Sequence, residues 1–381
     1  MPPEAIDRDA IRRIVVRANN WIGDVVMISP ALAALRAAYP AARIEAIVTQ
    51  HVAECFAGHP DVDGFIVQDP RRHRGIAGTL RFAGALRRRR YDLAVLFQKA
   101  FGAALLTWLA GVPRRVGYDT DSRGLLLTHP IPETPEARRL HHVEYFLGVA
   151  RGAGCPANGI PRRLHFPIAD DTRSRAALFL DERGAARFSW IAAVAVGASK
   201  GPRAWHADRF AALAAWLAAE RDAGILVVGG AGDRSAADRV LAAAGPAGID
   251  AVGATSVPMM AALIERCRVF VGNDSGPMHI AAALDVPVLA VFGPGSPDRT
   301  SPWMPPERFV ALSDGFHCSP CRQDFFRECA PSDSLKPLCI ESIGVDRAAR
   351  ELEALLARTQ SPAARPRRPA SSPEPQAPRI T

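Results

Sequence analysis

The stretch Arg13–Val48, RIVVRANNWIGDVVMISPALAALRAAYPAARIEAIV, decides the fold. Arg13–Val16 is short and β-branched, the composition of a strand buried on both faces. Small and polar residues follow as far as Gly23-Asp24, where the chain turns. Val25–Ala38 reads as a helix, and Ile44–Val48 as the next strand. Strand, turn, helix and strand in that order form a βαβ unit, the connection that joins parallel strands.

Working outward, Phe65–Val67 and Leu93–Phe97 read as further strands, with Thr79–Arg90 as the helix between them. Alternation of this kind builds a parallel sheet covered by helices on both faces. Arg151–Asp171, rich in Gly, Pro and Arg, interrupts the pattern and reads as a linker. The pattern then restarts. Trp190–Val196, Ile225–Val228, Val269–Val271 and Pro287–Phe292 read as strands, and Asp208–Arg221, Pro258–Arg266 and Met278–Leu284 as helices. Asp346–Ala357 is a last amphipathic helix. The expected fold class is α/β, with two doubly wound domains, residues 1–160 and 161–358, facing each other across a cleft. Ligands belong at the carboxyl ends of the strands. Residues 359–381, mostly Pro, Ser, Ala and Arg, bury too little apolar surface to order themselves and are expected to be a disordered tail.

Composition agrees. With 48% hydrophobic and 23% charged residues, the 381-residue chain is neither disordered, nor collagenous, nor an integral membrane protein. The longest apolar stretch, Ala281–Gly293, is broken by Asp285 and Pro287 and falls short of the ~20 residues a membrane span needs. The first residues lack a signal peptide's apolar core, so the cytoplasm is the expected location. Seven cysteines in a reducing compartment argue against a disulfide framework. Net charge is +8, and of the 47 basic residues only Lys99, Lys200 and Lys336 are lysines. That charge favours a phosphate, a nucleic acid or an anionic membrane surface. Basic residues interleaved with aromatics are missing, so nucleic acid is not expected.

Four motifs carry chemistry. Asp24 follows the first strand, where a carboxylate can take a proton from an attacking hydroxyl; equally, it can cap the following helix. Gly272-Asn-Asp-Ser-Gly-Pro-Met-His279 sits at a strand-to-helix junction, and a helix start there offers free N–H groups to phosphate. Asp274, Ser275 and Gly276 are the candidate contacts. His279 reads either as a ligand contact or as a hydrogen-bonded structural histidine. Gly293, in Phe292-Gly-Pro-Gly-Ser-Pro297, allows close backbone approach to the same ligand. No G-x-x-x-x-G-K-[ST] occurs, and Gly230 and Gly232 do not complete a G-x-G-x-x-G, which disfavours a nicotinamide oxidoreductase.

In Gly197-Ala-Ser-Lys-Gly-Pro-Arg-Ala-Trp205, Lys200 and Arg203 would meet that helix start and stabilise a diphosphate leaving group without a metal; a solvated loop is the plain alternative. Cys318, Cys321, Cys329 and Cys339 cluster within 22 residues. Four thiolates suit a structural zinc or a single iron and leave no open position for catalysis. Free or reversibly oxidised thiols are the other reading, and His317 could replace one ligand.

Together these motifs resemble glycosyltransferase family 9, the ADP-heptose:lipopolysaccharide heptosyltransferases, from about Arg13 to Leu356. Ile22-Gly-Asp24 with Ser29-Pro-Ala-Leu-Ala-Ala-Leu35 is similar to the family's opening signature. Asn273–Leu284 with Phe292-Gly-Pro294 is similar to its nucleotide-site signature. Trp108–Tyr118 and Arg123–His129 resemble the heptosyltransferase II branch. The resemblance implies a GT-B architecture of two Rossmann-like domains, the first binding acceptor and the second the nucleotide sugar. It implies inverting transfer of heptose from ADP-L-glycero-D-manno-heptose to the phosphorylated lipid A–core acceptor, at the inner face of the cytoplasmic membrane. On that pattern Asp24 is the base, Arg203 holds the diphosphate where the family has lysine, and Asp233 reaches the ribose. Catalysis needs no cofactor.

There are departures. His206 replaces a usual proline, and Gln98-Lys-Ala-Phe-Gly102 differs from the family in the acceptor half. The four-cysteine insert resembles one in members that glycosylate autotransporter proteins, which keeps a protein or other glycan acceptor open. A non-catalytic nucleotide-sugar-fold binding protein is the alternative from another class. Arg71, Arg72, Arg74 and Arg87–Arg90 suit a phosphorylated acceptor, as they suit a solvated helix face.

Overall fold

In the computed structural model, residues 5–159, 162–316, 318, 321, 325–327 and 329–359 are described. The expected tail from residue 360 onward and His317 lie outside them.

The first half runs β1 (Arg13–Arg17), α1 (Ile22–Met27), α2 (Ser29–Ala38), β2 (Arg43–Val48), β3 (Gly64–Val67), α3 (Gly75–Arg87), β4 (Leu93–Leu96), α4 (Phe101–Leu109), β5 (Arg114–Tyr118), β6 (His129–Ile131), α5 (Pro135–Arg139) and α6 (His142–Gly152). Its sheet has the order β3-β2-β1-β4-β5-β6, every pair parallel. The second half runs α7 (Asp170–Glu182), β7 (Trp190–Ala195), α8 (Ala207–Arg221), β8 (Ala223–Val228), α9 (Arg234–Ala244), β9 (Gly248–Asp250), α10 (Val257–Glu265), β10 (Val269–Asn273), α11 (Gly276–Ala283), β11 (Val288–Val291), α12 (Pro297–Thr300), β12 (Phe309–Leu312), α13 (Leu338–Glu341) and α14 (Val345–Thr359). Its order is β12-β11-β10-β7-β8-β9, again all parallel. The α/β class with two doubly wound sheets is as expected.

Each sheet reverses its winding once, between β1 and β4 in the first and between β7 and β10 in the second. A loop leaving the sheet at such a reversal diverges from its neighbour and opens a crevice, where ligands bind in folds of this kind. Three of the four chemical motifs follow these central strands: Asp24 after β1, Lys200 and Arg203 after β7, and Asp274–His279 after β10.

The single helix read over Val25–Ala38 is two. Pro30 has no N–H to donate and is tolerated at a helix start, so the chain breaks at Ile28 and restarts at Ser29. The Ser29 hydroxyl donates to Val26 O at 2.7 Å and accepts from His165 N at 2.9 Å. That second bond ties the connecting segment to the break, and Leu164, Phe166 and Ile168 of the same segment are buried. Thr359, expected to open the tail, instead closes α14, its hydroxyl bonded to Leu355 O at 2.7 Å.

One apolar core runs through both halves. It takes in Val25 and Ile28 of the first half together with Met278 and Ile280 of the second, because α1 packs directly on α11. The motif after β1 and the motif after β10 therefore touch.

Candidate active site

Asp24 lies in the first turn of α1 but does not cap it: the cap position is Trp21, and no side chain caps that end. Asp24 Oδ2 instead accepts from Asn19 Nδ2 at 3.0 Å, and Oδ1 stands 3.6 Å from His142 Nδ1, at the start of α6. Burial works to raise its pKa, but the His142 ring beside it and the Asn19 amide donating to it outweigh that. The carboxyl is held below its ordinary range and is an anion at neutral pH.

His142 is oriented from the other side. Arg299 Nη2, on α12 of the second half, is 2.9 Å from His142 Nε2. A guanidinium only donates, so Nε2 accepts and the ring proton sits on Nδ1, facing Asp24. Beside it, His141 Nδ1 accepts from Val143 N at 3.2 Å, and its Nε2 reaches Ser301 O at 3.0 Å. Both halves thus contribute to the ring of groups around Asp24.

Gly23 was expected to serve a tight turn. In the structure it makes room for a ring instead, since a Cβ at this position would lie 2.7 Å from His279 Cδ2. Its missing side chain lets the histidine ring of α11 rest against α1. His279 is buried, and its Nδ1 has no hydrogen-bond partner among the described residues, so the reading as a hydrogen-bonded structural histidine does not hold there. Burial is the main cause of a pKa lowered to about 3, leaving the ring neutral. Gly276 meets Ile22 in the same way, with 3.0 Å from an added Cβ to Ile22 Cβ. Ser275 precedes α11, its buried hydroxyl likewise unpartnered among the described residues.

Arg203 reaches this helix start, as expected. Its Nη2 donates to Asp274 O at 3.1 Å and also bonds the Asp274 carboxylate. Burial raises the Asp274 pKa while Arg203 opposes the shift. In this state Asp274 serves to hold Arg203 at the mouth of α11, and Gly295 leaves space for its carboxylate, an added Cβ falling 2.4 Å from Oδ2. Lys200 is exposed, with Nζ 5.6 Å from the ring centre of Phe325 in the cysteine segment. Asp233 sits at the ends of β7 and β8, accepting from Gly230 N at 2.9 Å, and Gly197 and Gly229 make room for its carboxylate. Gly293, expected to admit ligand, is needed for packing, since an added Cβ would be 2.4 Å from Ile340.

Asn273, within the glycine-rich motif at the end of β10, was not among the expected contacts. It is fully buried; its Oδ1 accepts from Trp205 N at 2.8 Å, and its Nδ2 donates to Val196 O at 2.9 Å and Gly197 O at 3.2 Å. One side chain therefore fixes the Arg203 loop to both central strands. His206 pairs with Glu341 at 3.0 Å, and Lys336 Nζ donates to Gly201 O at 2.8 Å and Ala204 O at 3.0 Å, so the segment ending in α13 braces the same loop.

Within that segment Cys339 is buried, and Cys318, Cys321 and Cys329 are partly so. Burial first, and then the three neighbouring thiols, push Cys339 up to about 11. The thiols are neighbours, yet among the described residues no three ligands are arranged to hold a metal. A wide depression of about 980 Å³ lies elsewhere, at the amino edge of the second sheet near Trp190, Cys267 and Arg268. It lies at the amino ends of β7 and β10, the opposite end of these strands from the Arg203 loop and the start of α11.

A carboxylate on one side, facing a guanidinium and a helix start on the other, can deprotonate a hydroxyl and receive a departing phosphate. Residues 79–329 match the sequence pattern of glycosyltransferase family 9 (heptosyltransferase). The chain belongs to this family. Lipopolysaccharide heptosyltransferase 2 of Escherichia coli is 31% identical over 316 residues, covering 80% of this chain and 89% of that protein. The Salmonella typhimurium protein of the same name is 30% identical over 314 residues, with the same coverage of each. In fold the chain is similar to the solved E. coli ADP-heptose LPS heptosyltransferase II, with TM-score 0.74, 24% identity, and 92% of this chain and 100% of that one covered. This family 9 chain is a glycosyltransferase of GT-B architecture. Among its described residues no helix is long and apolar enough to cross a membrane.

Proposed function

We propose that this chain is an inverting transferase that moves heptose from ADP-L-glycero-D-manno-heptose to the phosphorylated inner core of lipopolysaccharide, at the inner face of the cytoplasmic membrane. The first half binds acceptor and the second binds donor. The observation that carries the reading is Asp24, held anionic by Asn19 and His142 and placed opposite the Arg203–α11 end of the second half. Asp24 takes the proton of the acceptor hydroxyl as its oxygen forms the new bond to the anomeric carbon. The bond from that carbon to the diphosphate breaks, and its electrons leave with ADP. Arg203 and the N–H groups opening α11 meet the growing charge. Arg203 must then share its charge between Asp274 and the diphosphate, and its fork differs from lysine's point charge.

The test is transfer to heptose-deficient lipopolysaccharide core, read by mass spectrometry with a panel of nucleotide sugars. ADP-heptose is expected to give a product one heptose heavier. Transfer from another nucleotide sugar alone, or from none, would contradict the proposal.

Cys318, Cys321, Cys329 and Cys339 supply a sulfur-only donor set that would suit a structural zinc or iron once the thiols are drawn together. No step of the reaction passes through it. Elemental analysis of the purified protein reads it directly: stoichiometric metal supports such a site, and metal-free protein of full activity removes it.

A further inference from the structure

The first half exposes a group of large apolar side chains that the site does not use. On α3, Ile76 (82% exposed) and Leu80 stand one turn apart, facing solvent. On α4, Phe101, the first residue of the helix, is about half exposed. Leu125, 97% exposed, sits on the short turn Gly124–Leu126. These pieces adjoin one another, since α3 packs on α4 and α4 touches that turn. Proteins that stay free in water seldom leave so many large apolar side chains together.

Their place in the fold is informative. All strands of this sheet are parallel, so the connections that open α3, α4 and the Leu125 turn leave it at one edge. That is the edge that carries Asp24. The charge there is one-sided. α3 holds no acidic residue and includes Arg81, α4 holds no charge at all, and Arg71, Arg72 and Arg74 are exposed just ahead of α3. Of the acidic neighbours, Asp69 is 3.6 Å from Arg72, Asp119 Oδ1 accepts from Glu133 N, and Asp121 lies on the following loop. Apolar side chains beside arginines suit the boundary of an anionic bilayer, where the former enter among the acyl chains and the latter meet lipid phosphates.

We propose that this edge docks the enzyme on an anionic lipid bilayer through Ile76, Leu80, Phe101 and Leu125, with the neighbouring arginines on the headgroups. Docked so, the Asp24 edge opens toward the membrane surface. The purpose of the docking rests on the reading of a lipid-borne acceptor; the docking itself does not.

The experiment is sedimentation of the purified full chain with vesicles of phosphatidylglycerol and phosphatidylethanolamine, and with phosphatidylcholine vesicles. The protein is expected to sediment with the anionic vesicles and not with the zwitterionic ones. Ile76→Ser/Leu80→Ser/Leu125→Ser is expected to lower that partitioning by at least about tenfold, with unchanged melting temperature and unchanged transfer to a water-soluble, deacylated acceptor. Phe101→Ser alone should shift it in the same direction. Equal sedimentation of variant and parent, or none with anionic vesicles, would overturn the docking surface. Transfer to the soluble acceptor reads the transferase assignment separately, and its failure would sink that assignment whatever the vesicles show.

Discussion

At the scale of single residues, the site depends on how closely two side chains approach. Gly23 and His279 come from motifs far apart in the chain, and the glycine is required by the imidazole rather than by its own backbone angles. Gly23→Ala forces a methyl to within 2.7 Å of that ring, and overpacking of this kind costs ~1–3 kcal/mol. Urea denaturation should show the loss, and Gly23→Ala/His279→Ala should recover most of it. A Gly23→Ala protein as stable as the parent would contradict the contact. Asp24, Arg203 and Ser275 were legible in the sequence because each follows an apolar strand, and strand ends are where such folds place chemistry. His142 was not. Nothing local marks it, and its proximity to Asp24 exists only because α6 packs back on the first sheet.

At the scale of elements, the winding reversals position the chemistry and Asn273 locks one of them. Asn273→Ala strips buried partners from Trp205 N–H and from Val196 O. Leaving such groups unpaired costs ~1–3 kcal/mol. The Arg203 loop should loosen with it, so ADP affinity should fall together with stability; isothermal titration and denaturation on one preparation would show both. Unchanged ADP binding would mean that the loop is held by its braces to Lys336 and Glu341 instead. The central strands were legible as β-branched runs, and the restart of the pattern after the linker gave the second sheet. The break before Pro30 was signalled by the proline, but the unbroken apolar periodicity on either side concealed it. α4, with its uncharged and largely apolar sequence, and the short edge strands β6, β9 and β12 carry too little periodic contrast to stand out from a single sequence.

At the scale of the whole molecule, His59 and His279 are buried and His141 is half-buried, and all three are held as neutral rings. Burial takes His59 to about 3, His141 to about 4 and His279 to about 3. In the unfolded chain each titrates near its ordinary ~6.5. Below that value the unfolded state binds more protons than the folded one, so stability falls as pH drops. Each such histidine removes ~1.4 kcal/mol per pH unit. Denaturation between pH 6.5 and 5 isolates the effect, since carboxylates stay largely ionised there. A midpoint that does not move across this window would show that these rings are not held neutral. The vesicle experiment belongs to this scale as well, because it asks whether one face of the assembled first half binds a lipid bilayer.

The central claim is that Asp24 is the base, poised against a leaving-group site in the other half. Asp24→Asn keeps the shape and the contact to Asn19 while removing the negative charge. Equilibrium titration with ADP and single-turnover transfer from ADP-heptose, on the same preparation, test it most directly. ADP affinity is expected to stay as in the parent while the transfer rate falls by ~10²–10⁴. A transfer rate near that of the parent, with ADP still bound, would contradict the assignment of Asp24.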